Sequence, residues 1–237
     1  MDPIPVLFLP GLLCDGRLWR DQIVSLSDIA APTIADLTQD DSLDAMADRA
    51  LAAMPERFAL AALSMGGYVA FAILRRAPHR VSRLCLFDTT ARADDPEQAR
   101  RRRGLIGLTR IGRFRGVTPK LLPQLLHPDN LGDQTLIADV QTMAARIGKE
   151  AYVRQQTAIV RRPDSRPDLP NIRVPTLVGV GEADRTTPPE FAEEIAAGIP
   201  AARLAVIPRS GHLPPMEQPA EVGAAMRAWI LNDALRP

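Results

Sequence analysis

Serine, histidine and aspartate, the residue types that together carry out acyl transfer, each occur in this chain just after a short apolar run. Ser64 lies in the run Ala62-Leu63-Ser64-Met65-Gly66-Gly67, where small residues flank the serine on both sides. Small flanking residues permit the tight turn that lifts a nucleophilic hydroxyl clear of a sheet, although the usual pattern has glycine at the position of Ala62. A serine beside two glycines also suits a simple helix N-cap, so this motif alone leaves two interpretations open.

A base and a carboxylate follow later in the chain. His212 lies in the loop Ser210-Gly211-His212-Leu213-Pro214-Pro215, and histidine is the natural base near pH 7. Asp184 lies in the run Gly179-Val180-Gly181-Glu182-Ala183-Asp184-Arg185, which follows an apolar run. The chain order of the three candidates is therefore Ser, Asp, His.

Strands and helices alternate along the chain in a way that gathers these residues. Apolar runs predict strands at 5–9, 30–34, 58–63, 81–87, 174–180 and 203–207, and helical periodicity predicts helices at 42–51, 66–76, 189–197 and 219–232. Strands joined by helices imply a parallel sheet with both faces covered. Because Ser64, Asp184 and His212 each follow a predicted strand, they are expected at the carboxyl edge of the sheet.

Residues 93–166 interrupt this alternation, since they contain no β-rich run. Helical patterns occur instead at 97–110, 118–126, 131–147 and 149–161. We therefore expect a core formed by 1–92 and 167–237, with a helical cap, 93–166, inserted between two core strands. The cap carries fourteen Arg or Lys and eight Asp or Glu, a net charge of +6, which a solvated helical surface accounts for. The cap begins at the carboxyl edge of the sheet, after Asp88, so it is expected to cover Ser64.

Composition excludes several classes of protein. The 237 residues are 46% hydrophobic and 24% charged, as in ordinary globular proteins, and a net charge of +1 argues against a nucleic-acid partner. The start of the chain lacks the pattern of an export signal, and the longest uncharged run, 58–74, is broken by polar and glycine residues. We expect a cytoplasmic protein without a membrane partner. No cysteine, histidine or glycine pattern indicates a metal or a cofactor, so none is expected.

The serine turn, the chain order and the inserted helices together resemble the α/β-hydrolase family along nearly the whole chain. The resemblance implies an α/β fold whose mostly parallel sheet of about six strands is flanked by helices. It also implies that Ser64 is the nucleophile, that His212 is the general base and then the general acid, and that Asp184 orients the imidazole. Asp88 is a rival acid, because some relatives place the carboxylate after the preceding strand. The stretch around Asp184 resembles the usual acid loop of the family and favours Asp184.

The same resemblance implies an oxyanion hole and a pocket. The backbone N–H groups of Met65, after the nucleophile, and Leu12, in the loop after the first strand, match the two donor positions. Relatives usually have His-Gly where this chain has Pro10-Gly11. The candidate pocket residues are Leu13, Trp19, Phe114, Tyr152 and Leu213. Trp19 suits the packing of the helix after this loop as well.

The activity expected from these residues is that of a cofactor-free serine hydrolase. It would cleave a small carboxylic ester, lactone or thioester through an acyl-enzyme, with a small-molecule substrate as its partner. A carbon–carbon-bond hydrolase, or a lyase or synthase with the same triad, is the alternative. A small-molecule receptor without catalysis is a further alternative, because a fold by itself does not determine function.

His79 and His127 are poorer candidates for the base than His212. His79 lies in a turn behind a helix, and His127 lies in the cap.

Overall fold

The computed structural model describes residues 2–200 and 202–231. Its sheet contains the strands β1 (Ile4–Leu9), β2 (Ala30–Ile34), β3 (Phe58–Leu63), β4 (Val81–Phe87), β5 (Thr176–Gly181) and β6 (Ala202–Ile207). The strand order is β2-β1-β3-β4-β5-β6, and each pair of neighbours is parallel. The predicted α/β fold with a mostly parallel sheet of about six strands is confirmed.

Helices connect these strands and cover both faces of the sheet. They are α1 (Arg20–Ser25), α2 (Leu43–Ala52), α3 (Met65–Arg76), α4 (Pro96–Ile111), α5 (Leu122–Leu125), α6 (Gln134–Val160), α7 (Pro189–Gly198), α8 (Pro214–Glu217) and α9 (Pro219–Leu231). The strands and helices predicted for the core agree with these bounds to within two residues. The predicted end of the last helix, Asn232, lies outside the described residues. Within the described ranges, no helix has the length and apolarity needed to cross a membrane.

Two apolar clusters stabilise the sheet, one on each face. On one face, side chains of the central strands such as Leu60 and Leu84 pack with α2, α3 and α7. On the other face, Phe8 and Cys85 pack with α1 and α9. Because both faces are covered, β3 is buried along its whole length, which explains its continuous apolar sequence.

The segment between β4 and β5 differs in one place from the helices expected there, since the helix expected over 118–126 is only the short α5. The two helices expected at 131–147 and 149–161 both belong to α6. Gly148 separates them, because its φ of 77° and ψ of 179° are not helical, and a positive φ favours glycine. Helices α4 and α6 pack against each other. Val140 and Met143 of α6 join the apolar cluster on the second face of the sheet.

Candidate active site

Ser64 lies on a sharp turn between β3 and α3. Its φ of 54° and ψ of −115° are unusual for a residue with a side chain, and its N–H donates a 3.0 Å hydrogen bond to the carbonyl oxygen of Phe87. A Cβ atom on Gly66 would collide with the carbonyl oxygen of Leu9, and one on Gly67 would collide with the side chain of Thr89. Glycine is therefore required at both positions for the helix to approach the strands this closely.

A continuous chain of hydrogen bonds joins the three residues that the sequence singled out. His212 Nε2 lies 2.9 Å from Ser64 Oγ, and His212 Nδ1 lies 2.8 Å from Asp184 Oδ2. An Nδ1–H that donates to the carboxylate leaves Nε2 free to accept the proton of the serine hydroxyl. All three side chains are buried, with exposed fractions of 9% for Ser64, 3% for Asp184 and 4% for His212.

The carboxylate of Asp184 is held in its ionised form by its surroundings. Its Oδ1 accepts hydrogen bonds from the N–H groups of Thr186 (2.8 Å) and Thr187 (3.1 Å), and its Oδ2 accepts one from Thr187 Oγ1 (2.7 Å). Burial raises the pKa of Asp184, but the attraction of His212 and these hydrogen bonds outweigh that effect and lower it. The carboxylate is therefore suited to stabilising a positive charge on the imidazole.

Asp88, the rival acid, lies behind Asp184 at the end of β4. Its Oδ1 accepts a 2.9 Å hydrogen bond from the N–H of Gly181, and its buried Oδ2 has no partner among the described residues. Burial and the negative charge of Asp184 raise the pKa of Asp88 well above its usual range, which favours the neutral acid. The geometry therefore gives Asp184, not Asp88, as the partner of His212.

The same three residues are close enough to raise the question of a metal site. The donor atoms of Asp88, Asp184 and His212 lie within 4.8 Å of one another. However, His212 Nδ1 is bonded to Asp184, and both oxygens of Asp184 accept hydrogen bonds from the protein. These hydrogen bonds use the atoms that a cation would need, so the cluster suits an ionised aspartate that orients a histidine better than a metal.

Glu217, which the sequence interpretation missed, holds the loop that carries His212. Its Oε1 accepts hydrogen bonds from the N–H groups of Gly211 (2.7 Å) and Leu213 (3.3 Å). Its Oε2 accepts from the N–H of His127 (2.7 Å) and from the Asn130 amide (2.8 Å) in the inserted segment. The sequence signal that could have identified Glu217 is its place as the single acidic residue after an apolar, proline-rich stretch. Such a residue is expected to be buried, and a buried carboxylate needs several hydrogen-bond donors.

The two other histidines do not belong to this hydrogen-bond chain. The ring of His127 accepts from the N–H of Asp129 in the inserted segment. His79 is exposed, in the turn Pro78–Arg80 behind α3. Their interpretation as poorer bases agrees with these positions.

The loop after β1 passes directly beside Ser64. A Cβ atom on Gly11 would lie 3.4 Å from the Cβ atom of Ser64, so the backbone approaches the serine closely. The N–H groups of Leu12 and Met65 donate to no protein atom in the described part of the chain. Leu12 lines the same cavity as Ser64, and Met65 follows Ser64 in the chain. Unpaired backbone donors at these two positions are suited to binding an oxyanion.

A cavity of about 450 Å³ opens above the serine. Ser64 and His212 form part of its wall, together with four of the candidate pocket residues: Leu13, Phe114, Tyr152 and Leu213. Much of the remaining wall is apolar and comes from the inserted segment, including Leu105, Val117, Leu121, Val140 and Met143. The ring of Phe114 lies 5.3 Å from that of Tyr152.

Trp19 is the one candidate pocket residue that the structure places elsewhere. Its side chain is fully buried, and its ring lies 5.3 Å from that of Phe8 beneath the sheet face covered by α1 and α9. An indole of this size is stabilised more by burial than by exposure in a cleft, so it packs in the core. Trp19 therefore belongs to the core and does not line the pocket.

Comparison with known proteins agrees with this geometry. The model of the alpha/beta hydrolase family matches residues 6–225. The chain belongs to this family. A pimeloyl-[acyl-carrier protein] methyl ester esterase of Neisseria meningitidis serogroup B is 31% identical over 180 residues, which cover 73% of this chain and 68% of that protein. A protein of the same description from Vibrio campbellii is 24% identical, with 90% of this chain and 89% of the relative covered.

Solved structures of alpha/beta hydrolases superpose closely on this chain. A thermophilic esterase from Thermogutta terrifontis, with malate bound, has a TM-score of 0.87 and 33% identity, covering 97% of this chain and 90% of its own. The enol-lactonase from Burkholderia xenovorans has the same TM-score, 0.87, at 22% identity, covering 98% and 92%, and shows the shared fold. The comparisons confirm the prediction that the chain is a serine hydrolase of carboxylic esters.

Proposed function

We propose that this alpha/beta hydrolase cleaves a carboxylic ester whose apolar part occupies the cavity above Ser64. The observation that carries the proposal is the hydrogen-bond chain from Asp184 through His212 to Ser64, which ends at the wall of that cavity. In it Ser64 is the nucleophile, His212 the base and Asp184 the orienting acid.

Acylation follows from the direction of these hydrogen bonds. Ser64 Oγ attacks the ester carbonyl carbon while its proton passes to His212 Nε2, and the negative charge moves to the carbonyl oxygen. The N–H groups of Leu12 and Met65 then bind that oxyanion. When the tetrahedral intermediate collapses, the C–O bond to the alcohol breaks and His212 returns the proton to the leaving oxygen. The product is an acyl-enzyme on Ser64.

Deacylation repeats the sequence with water as the nucleophile. His212 Nε2 removes a proton from water, the hydroxide attacks the acyl carbon, and Ser64 Oγ leaves with the proton. In both halves the imidazole becomes positively charged. The ionised Asp184 stabilises that charge, and its hydrogen bonds to Thr186 and Thr187 keep the carboxylate in place.

The division of the chain into a core and a cap is part of the same proposal. Residues 1–92 and 167–237 would form the core, and residues 93–166 the cap that determines which ester fits. This is supported by the cavity wall, since Leu105, Phe114, Val117 and Met143 all belong to the inserted segment. An apolar wall of this kind suits an acyl chain of several carbon atoms.

A second candidate substrate is the one for which several relatives are named, a pimeloyl-[acyl-carrier protein] methyl ester. In favour of it, the cavity combines apolar walls with the side chains of Arg113 and Arg115. This combination suits a methylene chain with an ester at one end and a polar group at the other. The net charge of +1 argues against nucleic acid as the substrate. A cytoplasmic location is part of the proposal and is supported by the two free cysteines, Cys14 and Cys85, which suit a reducing compartment.

The test compares the wild-type protein with Ser64→Ala and with Ser27→Ala, a control at an exposed serine. Turnover of p-nitrophenyl acetate, butyrate and octanoate and of monomethyl pimelate is measured for each protein. Ser64→Ala should lower turnover of every accepted ester by about 10³-fold or more, with an unchanged circular dichroism spectrum. Ser27→Ala should behave as wild type. Unchanged turnover in Ser64→Ala would contradict the proposed function.

A further inference from the structure

Gln155 lies between the inserted segment and the loop that carries Leu12. Its side chain, near the end of α6, has an exposed fraction of 0%. Its Oε1 accepts a 3.2 Å hydrogen bond from the N–H of Leu13, and its Nε2 donates a 3.2 Å hydrogen bond to the carbonyl oxygen of Leu37, after β2. One buried amide therefore ties α6 to the loops that follow β1 and β2.

Leu13 is a residue whose backbone needs such support. It occupies the third position of a turn that is closed by a 3.1 Å hydrogen bond from the N–H of Cys14 to the carbonyl oxygen of Gly11. Its φ of 60° lies in the left-handed region, which favours glycine or asparagine at that position and disfavours leucine. Without Gln155, the buried N–H of Leu13 would also lose its hydrogen bond.

The ion pairs between α6 and this part of the chain are weaker contacts than the buried hydrogen bonds. Arg146 pairs with Asp15 at 2.7 Å, and Arg17 pairs with Asp139 at 2.8 Å. Each of these pairs is partly exposed to solvent, where ion pairs contribute little. The buried hydrogen bond from the N–H of Leu13 to Gln155, whose amide is itself held by Leu37, is therefore the polar contact best placed to fix the path of the loop.

We propose that Gln155 is a positioning residue for the oxyanion hole. By holding Leu13 it fixes the direction of the neighbouring Leu12 N–H, so that the inserted segment contributes to transition-state stabilisation as well as to the cavity wall. The inference rests on the proposed function, because the Leu12 donor matters only when Ser64 forms a tetrahedral adduct. Gln155 itself touches neither substrate nor Ser64 in this mechanism.

The experiment compares Gln155→Met, which keeps the length but loses both hydrogen bonds, with Gln155→Glu. Burial keeps the introduced carboxyl group neutral, so it can accept from the N–H of Leu13 and donate to the carbonyl oxygen of Leu37. Gln141→Met is the control, since Gln141 also belongs to α6, before Gly148, and its side chain donates to the carbonyl oxygen of Val117 inside the inserted segment. For each variant we would measure kcat, KM and the inhibition constant of an alkylboronic acid. An alkylboronic acid forms a tetrahedral adduct with an active serine.

Gln155→Met should lower kcat by about 10- to 100-fold, since a displaced oxyanion donor loses part of its effect, while KM changes by less than about threefold. The boronic acid should bind more weakly by the same factor. Gln155→Glu should recover most of kcat, and Gln141→Met should resemble wild type. A simple loss of packing would not produce this split between kcat and KM or the rescue by glutamate.

Wild-type kcat in Gln155→Met, or a lower kcat with unchanged boronic acid affinity, would overturn the proposal. If Gln155→Met does not fold, Gln155→Asn, which withdraws the amide by one methylene, should show the same paired losses, and a wild-type kcat there would count equally against it. Turnover that survives in Ser64→Ala contradicts the proposed function instead. An inactive Ser64→Ala together with an unaffected Gln155→Met contradicts this inference alone.

Discussion

Asp88 Oδ1 accepts a 2.9 Å hydrogen bond from the N–H of Gly181, which joins the end of β4 to the loop that presents the triad acid. Gly181 is followed three residues later by Asp184, whose carboxylate bonds to His212. Two buried carboxyl groups therefore lie close together with different partners. One is bonded to the histidine, and the other is bonded to the backbone of its neighbour's loop.

This arrangement predicts unequal effects of removing the two acids. Asp184→Asn should lower kcat/KM by about 10³- to 10⁴-fold, because the amide no longer orients the imidazole or stabilises its charge. Asp88→Asn should lower it by less than about tenfold, since an amide oxygen can still accept from Gly181. The measurement is kcat/KM for one p-nitrophenyl ester across both variants. The reverse ranking would identify Asp88 as the acid of the triad.

Asp88 should also make the stability of the protein depend on pH. Its pKa is raised in the folded state, so between its unfolded and folded pKa values the unfolded chain binds fewer protons and stability falls as pH rises. Asp88→Asn removes this loss. The stability of the variant relative to wild type should therefore increase from pH 5 to pH 8, measured by urea unfolding at each pH. A difference that stays constant with pH would show that Asp88 is not held neutral.

Glu217 should affect both stability and activity through the loop of His212. Glu217→Gln replaces one oxygen acceptor with an NH₂ group, which would face the N–H donors of either Gly211 or His127. We expect a loss of about 1–3 kcal/mol in the free energy of unfolding and a lower kcat. Glu221→Gln, at an exposed position on α9, is the control and should change neither quantity. Equal values for the two variants would exclude this role for Glu217.

The cavity wall predicts a change in acyl-chain preference. Phe114→Ala removes a ring that lines the cavity beside Tyr152, and the space gained should accept longer chains. The ratio of kcat/KM for p-nitrophenyl decanoate to that for the butyrate should rise by about fourfold per additional buried methylene, which corresponds to about 0.8 kcal/mol. Leu108→Ala, on the exposed side of α4, is the matched control. An unchanged ratio in Phe114→Ala would place the acyl chain elsewhere.

Much of the fold and part of the site follow from local patterns in the sequence. The apolar runs and helical periodicity predict the alternating strands and helices, because burial on both faces of a parallel sheet imposes them on short segments. The glycines after Ser64 predict the tight turn for a similar reason, since only glycine fits where α3 meets the carbonyl of Leu9. Because Ser64, Asp184 and His212 each follow a strand of this parallel sheet, all three are expected at its carboxyl edge.

The tertiary structure alone shows which of the candidate side chains meet. Asp88 and Asp184 both follow neighbouring strands; the family resemblance favours Asp184, and the direction of its side chain places it 2.8 Å from His212. The side chain of Trp19 packs against Phe8 in the core and does not line the cavity. Gln155 bonds to a residue 142 positions earlier in the chain. Hydrophobic periodicity reports which face of a segment is buried, whereas a hydrogen bond between distant segments depends on atoms that only folding brings together.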